Sequence, residues 1–202
     1  MAKPSDNDFF VGYLRVPSGL KVFLVAVAAC LIGGFAGLAL VTGAAQDDPG
    51  VGDFQWSWGP QTVTGRLEIS PYPVLHVTRG TEKVPAGRSL LLSGAGKKGV
   101  QARVAALDGK MVQLNGIALK RGDIDALQVG DAPEASAVQG DAAPNLTATP
   151  LGRWKLQGEI CDGKCLAGAM RPGQGLSHKA CANLCLISGA PPVFVTTAKV
   201  DG

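Results

Sequence analysis

Residues 22–41 read VFLVAVAACLIGGFAGLALV, an apolar run of twenty residues that contains no charge. At about 1.5 Å of rise per residue, a helix of this length spans the roughly 30 Å hydrocarbon layer of a bilayer. The sequence therefore predicts a single transmembrane helix over residues 22–43. Because no second run of comparable length follows, a multi-pass transporter is excluded.

The charges on either side of this helix predict its orientation. Lys3, Arg15 and Lys21 precede it, whereas the first basic residue after it is Arg66. The positive-inside rule then places residues 1–21 in the cytoplasm and the rest of the chain outside. We expect a bacterial inner-membrane protein with a periplasmic C-terminal bulk and the lipid bilayer as one partner.

Two processing alternatives to an anchor stay open. Small residues at Gly43, Ala44 and Ala45 suit a signal peptidase, although a secretory apolar region is typically about 7–15 residues long. Residues 27–30 read VAAC, which is similar to a lipoprotein box with Cys30 as the acylated residue. The chain stays strongly apolar beyond Cys30, which favours the anchor over lipidation.

The apolar run also carries a pattern for helix packing. Ala29, Gly33 and Gly37 recur at every fourth residue, and small residues at this spacing let another helix approach closely. The run has no His, Met, Asp, Glu, Lys or Arg, so we expect it neither to ligate a haem through His or Met nor to relay protons. We expect this helix to anchor the chain or to pack on other membrane helices.

Composition restricts the function classes of the remaining chain. The net charge of the 202 residues is +3, which forms no basic patch and argues against a nucleic-acid partner. No Ser/His/Asp arrangement or phosphate-binding glycine loop occurs, and Glu159 and Asp162 flank a turn that explains them structurally. We therefore expect a protein that is not an enzyme and has no catalytic residue.

Residues 54–130 show short strand-like runs separated by turn signals. An Asp108-Gly109 pair predicts a hairpin, because both residues tolerate the backbone of tight turns. Six short strands in this length suggest a small SH3-like or OB-like barrel. The predicted strands are residues 62–69, 73–78, 89–92, 102–107, 111–119 and 124–129.

The rest of the chain divides into a linker and a second small module. Residues 131–150 are rich in Ala, Pro, Gly and Asp, which is typical of a linker. Residues 151–202 contain four of the five cysteines, with predicted strands at 153–160 and 192–197. No returning strand follows the second one, so we expect an open sheet edge in this module.

Four cysteines lie in two CxxxC pairs in this module: Cys161 with Cys165, and Cys181 with Cys185. In an oxidising compartment, disulfides commonly staple a domain that is too small to be held by burial alone. Bonding within a pair is disfavoured by geometry, so we expect Cys161 or Cys165 to join Cys181 or Cys185. A thiol–disulfide enzyme is a further alternative, although CxxxC is not the usual CxxC motif.

A metal site is the competing prediction for the same residues. If residues 177–186 form a helix, His178, Cys181 and Cys185 fall on one face, and Cys165 could complete a tetrahedral set. Such ligands suit zinc or copper. Metal and disulfide exclude each other at a given sulfur, and we expect a chain without a cofactor, with zinc or copper as the alternative.

The segment from Gly158 to Pro191 resembles a small domain of exported bacterial proteins. Its pattern is GExxDxxC, HxxCAxxC and GxP. The resemblance implies an OB-like barrel in this quarter of the chain and no catalytic activity, and Cys161 is an addition to the pattern that favours disulfides. The matching positions are Gly158, Glu159, Asp162, Cys165, His178, Cys181, Ala182, Cys185, Gly189 and Pro191.

These features together predict two candidate functions. The first is a non-catalytic accessory subunit, whose helix packs on the integral subunits of a larger membrane complex of the respiratory or another electron-transfer type. Its outer β modules clasp the exposed face of that complex. The second is a periplasmic metal-binding or electron-transfer module that uses the Cys/His cluster.

Overall fold

The computed structural model describes residues 16–45, 50–130, 136–138, 145–197 and 200. It divides the chain into two compact units, Met1–Asp48 and Pro49–Gly202. The first unit contains helix α1 (Ser18–Ala45), which is exposed along its length. Among the described residues, α1 is the single helix long and apolar enough to cross a membrane.

Helix α1 carries the predicted small-residue positions Ala29, Gly33 and Gly37. A Cβ added at Gly33 or Gly37 would meet no atom within 4 Å, so this side of the helix is open. An open row of small residues is what close helix packing requires. Packing on another helix stays a prediction.

The second unit is mainly β and contains a closed five-stranded barrel. Strand β2 pairs with β3, β3 with β4, and β4 with β6, while β5 pairs with both β6 and β2 and closes the ring. The β4–β6 pairing is parallel and the others are antiparallel. The predicted barrel is confirmed, and its strand path is that of an OB-type barrel. The elements of this part are β1 (Asp53–Phe54), β2 (Gln61–Glu68), β3 (Val74–Arg79), β4 (Ser89–Ser93), α2 (Gln101–Val104), β5 (Met111–Arg121), β6 (Ile124–Val129) and β7 (Ser136–Ala137).

Alternating side chains fill the interior of this barrel. Leu67, Leu75, Leu92, Leu114 and Leu127 are fully buried and come from five different strands. Residues with a period of two face one side of a strand, so each strand supplies an apolar row to the core.

The predicted strand at residues 102–107 is wrong, since these residues form α2 and a 3-10 turn (Ala105–Leu107). The segment QARVAAL is rich in good helix formers, and its apolar residues also fit a helical turn. Asp108 and Gly109 consequently connect a helix to β5 instead of closing a hairpin. The Asp108 carboxylate accepts a hydrogen bond from the Ile69 backbone N–H at 3.0 Å, which holds this turn against the end of β2.

The C-terminal segment contains two strands, two helical elements and no barrel within residues 151–197. Strand β8 pairs with β9 in a separate two-stranded antiparallel sheet, where the sequence predicts an OB-like module. The predicted strand at 153–160 is shorter and begins at Gly158, whereas the second predicted strand is confirmed. The elements are β8 (Gly158–Asp162), a π-helical turn (Cys165–Ala169), α3 (Lys179–Ile187) and β9 (Pro192–Thr196).

This segment lies in the same compact unit as the barrel because it is buried against it. Ala167 of the π-helical turn is fully buried in an apolar cluster with Leu119 and Ala126 of the barrel. The approach is so close that a Cβ on Gly168, whose φ is +139°, would lie 2.1 Å from the Asp53 nitrogen. Most of the predicted linker 131–150 lies outside the described residues.

Candidate metal centre

The structure places the four residues that the sequence predicts as metal ligands in two groups that share Cys165. The Sγ atoms of Cys165 and Cys181 and a ring nitrogen of His178 all lie within 4.8 Å of one another. Cys165 also belongs to a second group in which its Sγ, the Cys185 Sγ and an Asp162 carboxylate oxygen lie within 4.8 Å of one another. Cys165 is therefore the residue that the two groups share.

Two chain segments position these side chains. His178 immediately precedes α3, and Cys181 and Cys185 follow one helical turn apart within it, as the spacing predicts. Cys165 begins the π-helical turn that follows the Asp162-Gly163 turn. The Gly163 N–H donates to the Pro191 carbonyl at 2.7 Å, which ties this turn to the start of β9.

The cluster is buried on one side and accessible on the other. Cys165, His178 and Cys185 are buried, and Cys181 is half-buried. Asp162 is completely buried, with 0% of its surface exposed. Its two carboxylate oxygens are both engaged: Oδ1 accepts from the Cys165 N–H at 2.7 Å, and Oδ2 lies 3.1 Å from His178 Nε2.

Two lysines approach the cluster from different directions. The exposed Lys97, in the loop between β4 and α2, places Nζ 2.7 Å from the Cys181 Sγ. Lys164 is 4% exposed and donates from Nζ to the carbonyl oxygens of Gly94 and Gly96, both at 2.7 Å. Loop 94–99 of the barrel is thus tied to the cysteine segment from both sides.

Burial sets the protonation state of the inner thiols. Burial, and then a hydrogen bond with Asp162, raise the pKa of the Cys165 thiol well above its usual range. Burial, and then the charge of Asp162, also raise the pKa of Cys185. Both residues are neutral thiols near pH 7, so a metal that binds them must displace their protons.

Cys161 lies outside both groups. It neighbours Asp162 in β8, and consecutive residues of a strand face opposite sides of the sheet. It lines a cavity of about 270 Å³ together with Ile160, Leu176 and His178. Burial and the charge of Glu159 raise the pKa of the Cys161 thiol to about 11.

The sulfur geometry can be compared with both predicted states. The Sγ atoms of Cys165 and Cys185 are 4.0 Å apart, and all five cysteines are free thiols in the structure. Two thiolates on one tetrahedral zinc lie about 3.8 Å apart, because each Zn–S bond is about 2.3 Å long. A disulfide requires about 2.05 Å. The arrangement suits a shared metal ion without movement of these two sulfurs, and the disulfide stays a prediction.

Two residues of the site were missed by the sequence analysis. The sequence places Asp162 beside a turn, and its position in the GExxDxxC pattern does not show that its carboxylate is buried beside His178. Lys97 lies 84 residues from Cys181 along the chain, so no local pattern could connect them. Comparison of the chain with protein-family models, curated proteins and solved structures gave no match.

Proposed function

We propose that this chain is a membrane-anchored periplasmic protein that binds one zinc ion through Cys165, His178, Cys181 and Cys185. The observation that carries the proposal is that the Cys165 Sγ lies within 4.8 Å of a His178 ring nitrogen and of the Sγ atoms of Cys181 and Cys185, all three from the other segment. Three Cys and one His form a common structural zinc set, and a closed set of four protein ligands leaves no position for substrate. The proposed function is therefore binding and stabilisation, without catalysis.

The charges around the cluster support a divalent ion. A zinc ion with three thiolates and a neutral imidazole carries one net negative charge, and Asp162 adds another. Lys97 contacts Cys181, and Lys164 interacts electrostatically with Cys165, Cys185 and Asp162. The two ammonium groups offset both negative charges, whereas a monovalent copper ion would leave one uncompensated.

A composition of twenty uncharged apolar residues supports anchoring by α1, and the basic residues before it support a cytoplasmic N-terminus. The remaining chain would then fold in the periplasm. Zinc competes with disulfide formation in such an oxidising compartment. Burial of Cys165 and Cys185, each at most 4% exposed, protects their sulfurs from oxidants.

Exposed apolar groups favour a second role, that of an accessory subunit of a larger membrane complex. Ile160 and Phe194 lie opposite each other on the β8–β9 sheet and are 62% and 47% exposed, and Ile187 is 84% exposed. Within the described residues this sheet has two strands, and no third strand pairs with either outer edge.

Metal analysis tests the zinc proposal. The full chain is produced in detergent without chelators or added reductant, and its metal content is measured by plasma mass spectrometry. We expect one zinc ion per chain, which is lost in Cys165→Ser and Cys185→Ser. Cys161→Ser and Cys30→Ser are the matched controls and should retain it. Wild-type protein without stoichiometric metal would contradict the proposal, and stoichiometric copper would replace zinc in it.

Pull-down through the same chain tests the accessory role. Gly33→Leu and Gly37→Leu would crowd the packing side of α1, and Phe194→Ser would remove apolar area from the outer sheet. We expect integral membrane proteins to co-purify with the wild type and to be reduced by these changes. A wild-type chain that is always monomeric and alone would contradict the accessory role and leave the zinc proposal standing.

A further inference from the structure

Asp162 is the most deeply buried ionisable residue beside the candidate centre. None of its surface is exposed, although burying a carboxylate is costly unless its oxygens are hydrogen-bonded. Both oxygens have partners, the Cys165 N–H and His178 Nε2. The Asp162 carboxylate thus links two proposed zinc ligands, Cys165 and His178, which come from different segments of the chain.

This contact points to the nitrogen of His178 that carries the proton. An ionised carboxylate only accepts hydrogen bonds, so a nitrogen 3.1 Å from Oδ2 must be the one that bears hydrogen. In the neutral ring, Nε2 is then N–H and Nδ1 keeps its lone pair. A metal ion requires that lone pair, so Nδ1 is the nitrogen that remains for coordination.

We infer that Asp162 is a positioning residue that holds His178 as its Nε2–H tautomer and thereby selects Nδ1 as the zinc ligand. The inference rests on the proposed zinc function and adds to it a residue, a tautomer and a ligand atom. A carboxylate behind a metal-bound histidine fixes the orientation of the ring and raises its basicity. The Cys165 N–H bond gives Asp162 a second fixed point, so the carboxylate cannot rotate away from the ring without losing that bond.

The first experiment uses NMR of the full chain with ¹⁵N-labelled histidine, produced without a histidine tag. The chain has two histidines, and His76→Gln leaves His178 as the single reporter. His76 lies in β3 and bonds to Glu68 and Ser89, outside the candidate centre. In the zinc-loaded protein we expect a proton on Nε2 and a zinc-shifted Nδ1. A proton on Nδ1 with zinc on Nε2 would overturn the inference while the zinc function survives.

The second experiment compares Asp162→Asn with Asp125→Asn by zinc titration against a chelator. An amide offers both a donor and an acceptor, so it no longer enforces one tautomer. We expect zinc affinity to fall about 10- to 100-fold in Asp162→Asn, with a mixture of His178 tautomers. Asp125 is a mostly buried carboxylate that pairs with Arg88 and Lys120 in the barrel, and its variant controls for general destabilisation.

The outcomes separate the inference from the function on which it rests. An Asp162→Asn protein with unchanged zinc affinity and an unchanged tautomer would overturn the inference alone. Equal losses of zinc affinity in Asp162→Asn and Asp125→Asn would show that the cause is general destabilisation, and this result would also overturn the inference. If the wild type binds no zinc, both the inference and the proposed function are overturned.

Discussion

The Sγ atoms of Cys165 and Cys185 lie 4.0 Å apart in the buried part of the C-terminal segment, although twenty residues separate them in the chain. Each comes from a different helical element, and each has a raised pKa caused first by burial. Two neutral thiols at this distance are suited to capture a thiophilic ion as they lose their protons. Five predictions follow from this arrangement and from the contacts around it.

Alkylation measures the redox state of the cysteines directly. If zinc holds three of them, all five thiols are reduced, and denaturation with a chelator but without a reductant should expose all of them to iodoacetamide. Intact-mass measurement should then show five added groups on the full chain. A product with fewer groups, and a cross-link between the two CxxxC pairs, would favour the disulfide prediction instead.

Chelation should destabilise the second unit, which contains the proposed metal ligands. A ligand that binds only the folded state stabilises it by about 4 kcal/mol when its free concentration is 1,000 times Kd. We expect a chelator to lower the Tm of the wild-type chain and to leave the Tm of Cys185→Ser unchanged. Scanning calorimetry or near-ultraviolet circular dichroism measures this shift. An equal Tm with and without chelator in the wild type would contradict the prediction.

Lys164 should contribute to stability because its buried ammonium bonds two carbonyl oxygens of the barrel loop, those of Gly94 and Gly96. Lys164→Met leaves these acceptors without that donor, and hydrogen bonds to charged groups are worth about 1.5–3 kcal/mol each. We expect the free energy of unfolding in urea to fall by about 2 kcal/mol or more. Lys98→Met, at an exposed position of the same loop, is the control and should change it by less than about 0.5 kcal/mol.

Lys97 should affect the zinc affinity without contributing to the stability of the fold. Its Nζ lies 2.7 Å from the Cys181 Sγ, and this hydrogen bond is the main cause of the raised pKa of Lys97. Lys97→Ala removes the positive charge beside the Cys181 thiolate. We therefore expect weaker zinc binding and a smaller dependence of the zinc affinity on salt concentration. Chelator competition at two salt concentrations measures both effects. Lys98→Ala should match the wild type, and an equal loss there would point to net charge alone.

Gly168 should tolerate no side chain. Its φ of +139° is unfavourable for other residues, and its Cβ would lie 2.1 Å from the Asp53 nitrogen of the barrel. We expect Gly168→Ala to lower the free energy of unfolding by about 2–4 kcal/mol. Gly130→Ala provides the control, since nothing lies within 4 Å of a Cβ there. Equal stability of the two variants would show that the π-helical turn does not pack on β1 as described.

Periodicity predicted the barrel because each strand buries alternate residues in one core. It failed at residues 102–107, where a segment rich in good helix formers makes the connection to β5 a short helix. Periodicity also failed for the module predicted at residues 151–202. A pattern of strands does not show whether a short sheet closes into a barrel of its own or packs against a neighbouring barrel. The buried Ala167 shows that it lies against the barrel.

The proposed ligands His178, Cys181 and Cys185 were predictable, because His178 caps α3 and the two cysteines follow it at a helical spacing that places all three on one face. Asp162 and Lys97 were not, because their roles depend on burial and on contacts across the fold. A carboxylate in a turn is usually solvated, and only the packing of β8 against α3 removes it from water. Residues such as Asp162 and Lys97, which contact a proposed ligand from behind, orient that ligand without leaving a spacing pattern in the sequence.

X-ray absorption at the zinc edge on the full chain tests the central proposal most directly. We expect a single zinc with about three sulfur neighbours at about 2.3 Å and about one nitrogen at about 2.0 Å. Cys161→Ser should leave this spectrum unchanged, while Cys181→Ser should lose one sulfur neighbour. A first shell made of oxygen and nitrogen alone, or a chain that holds no zinc at all, would contradict the assignment of Cys165, His178, Cys181 and Cys185 as a metal centre.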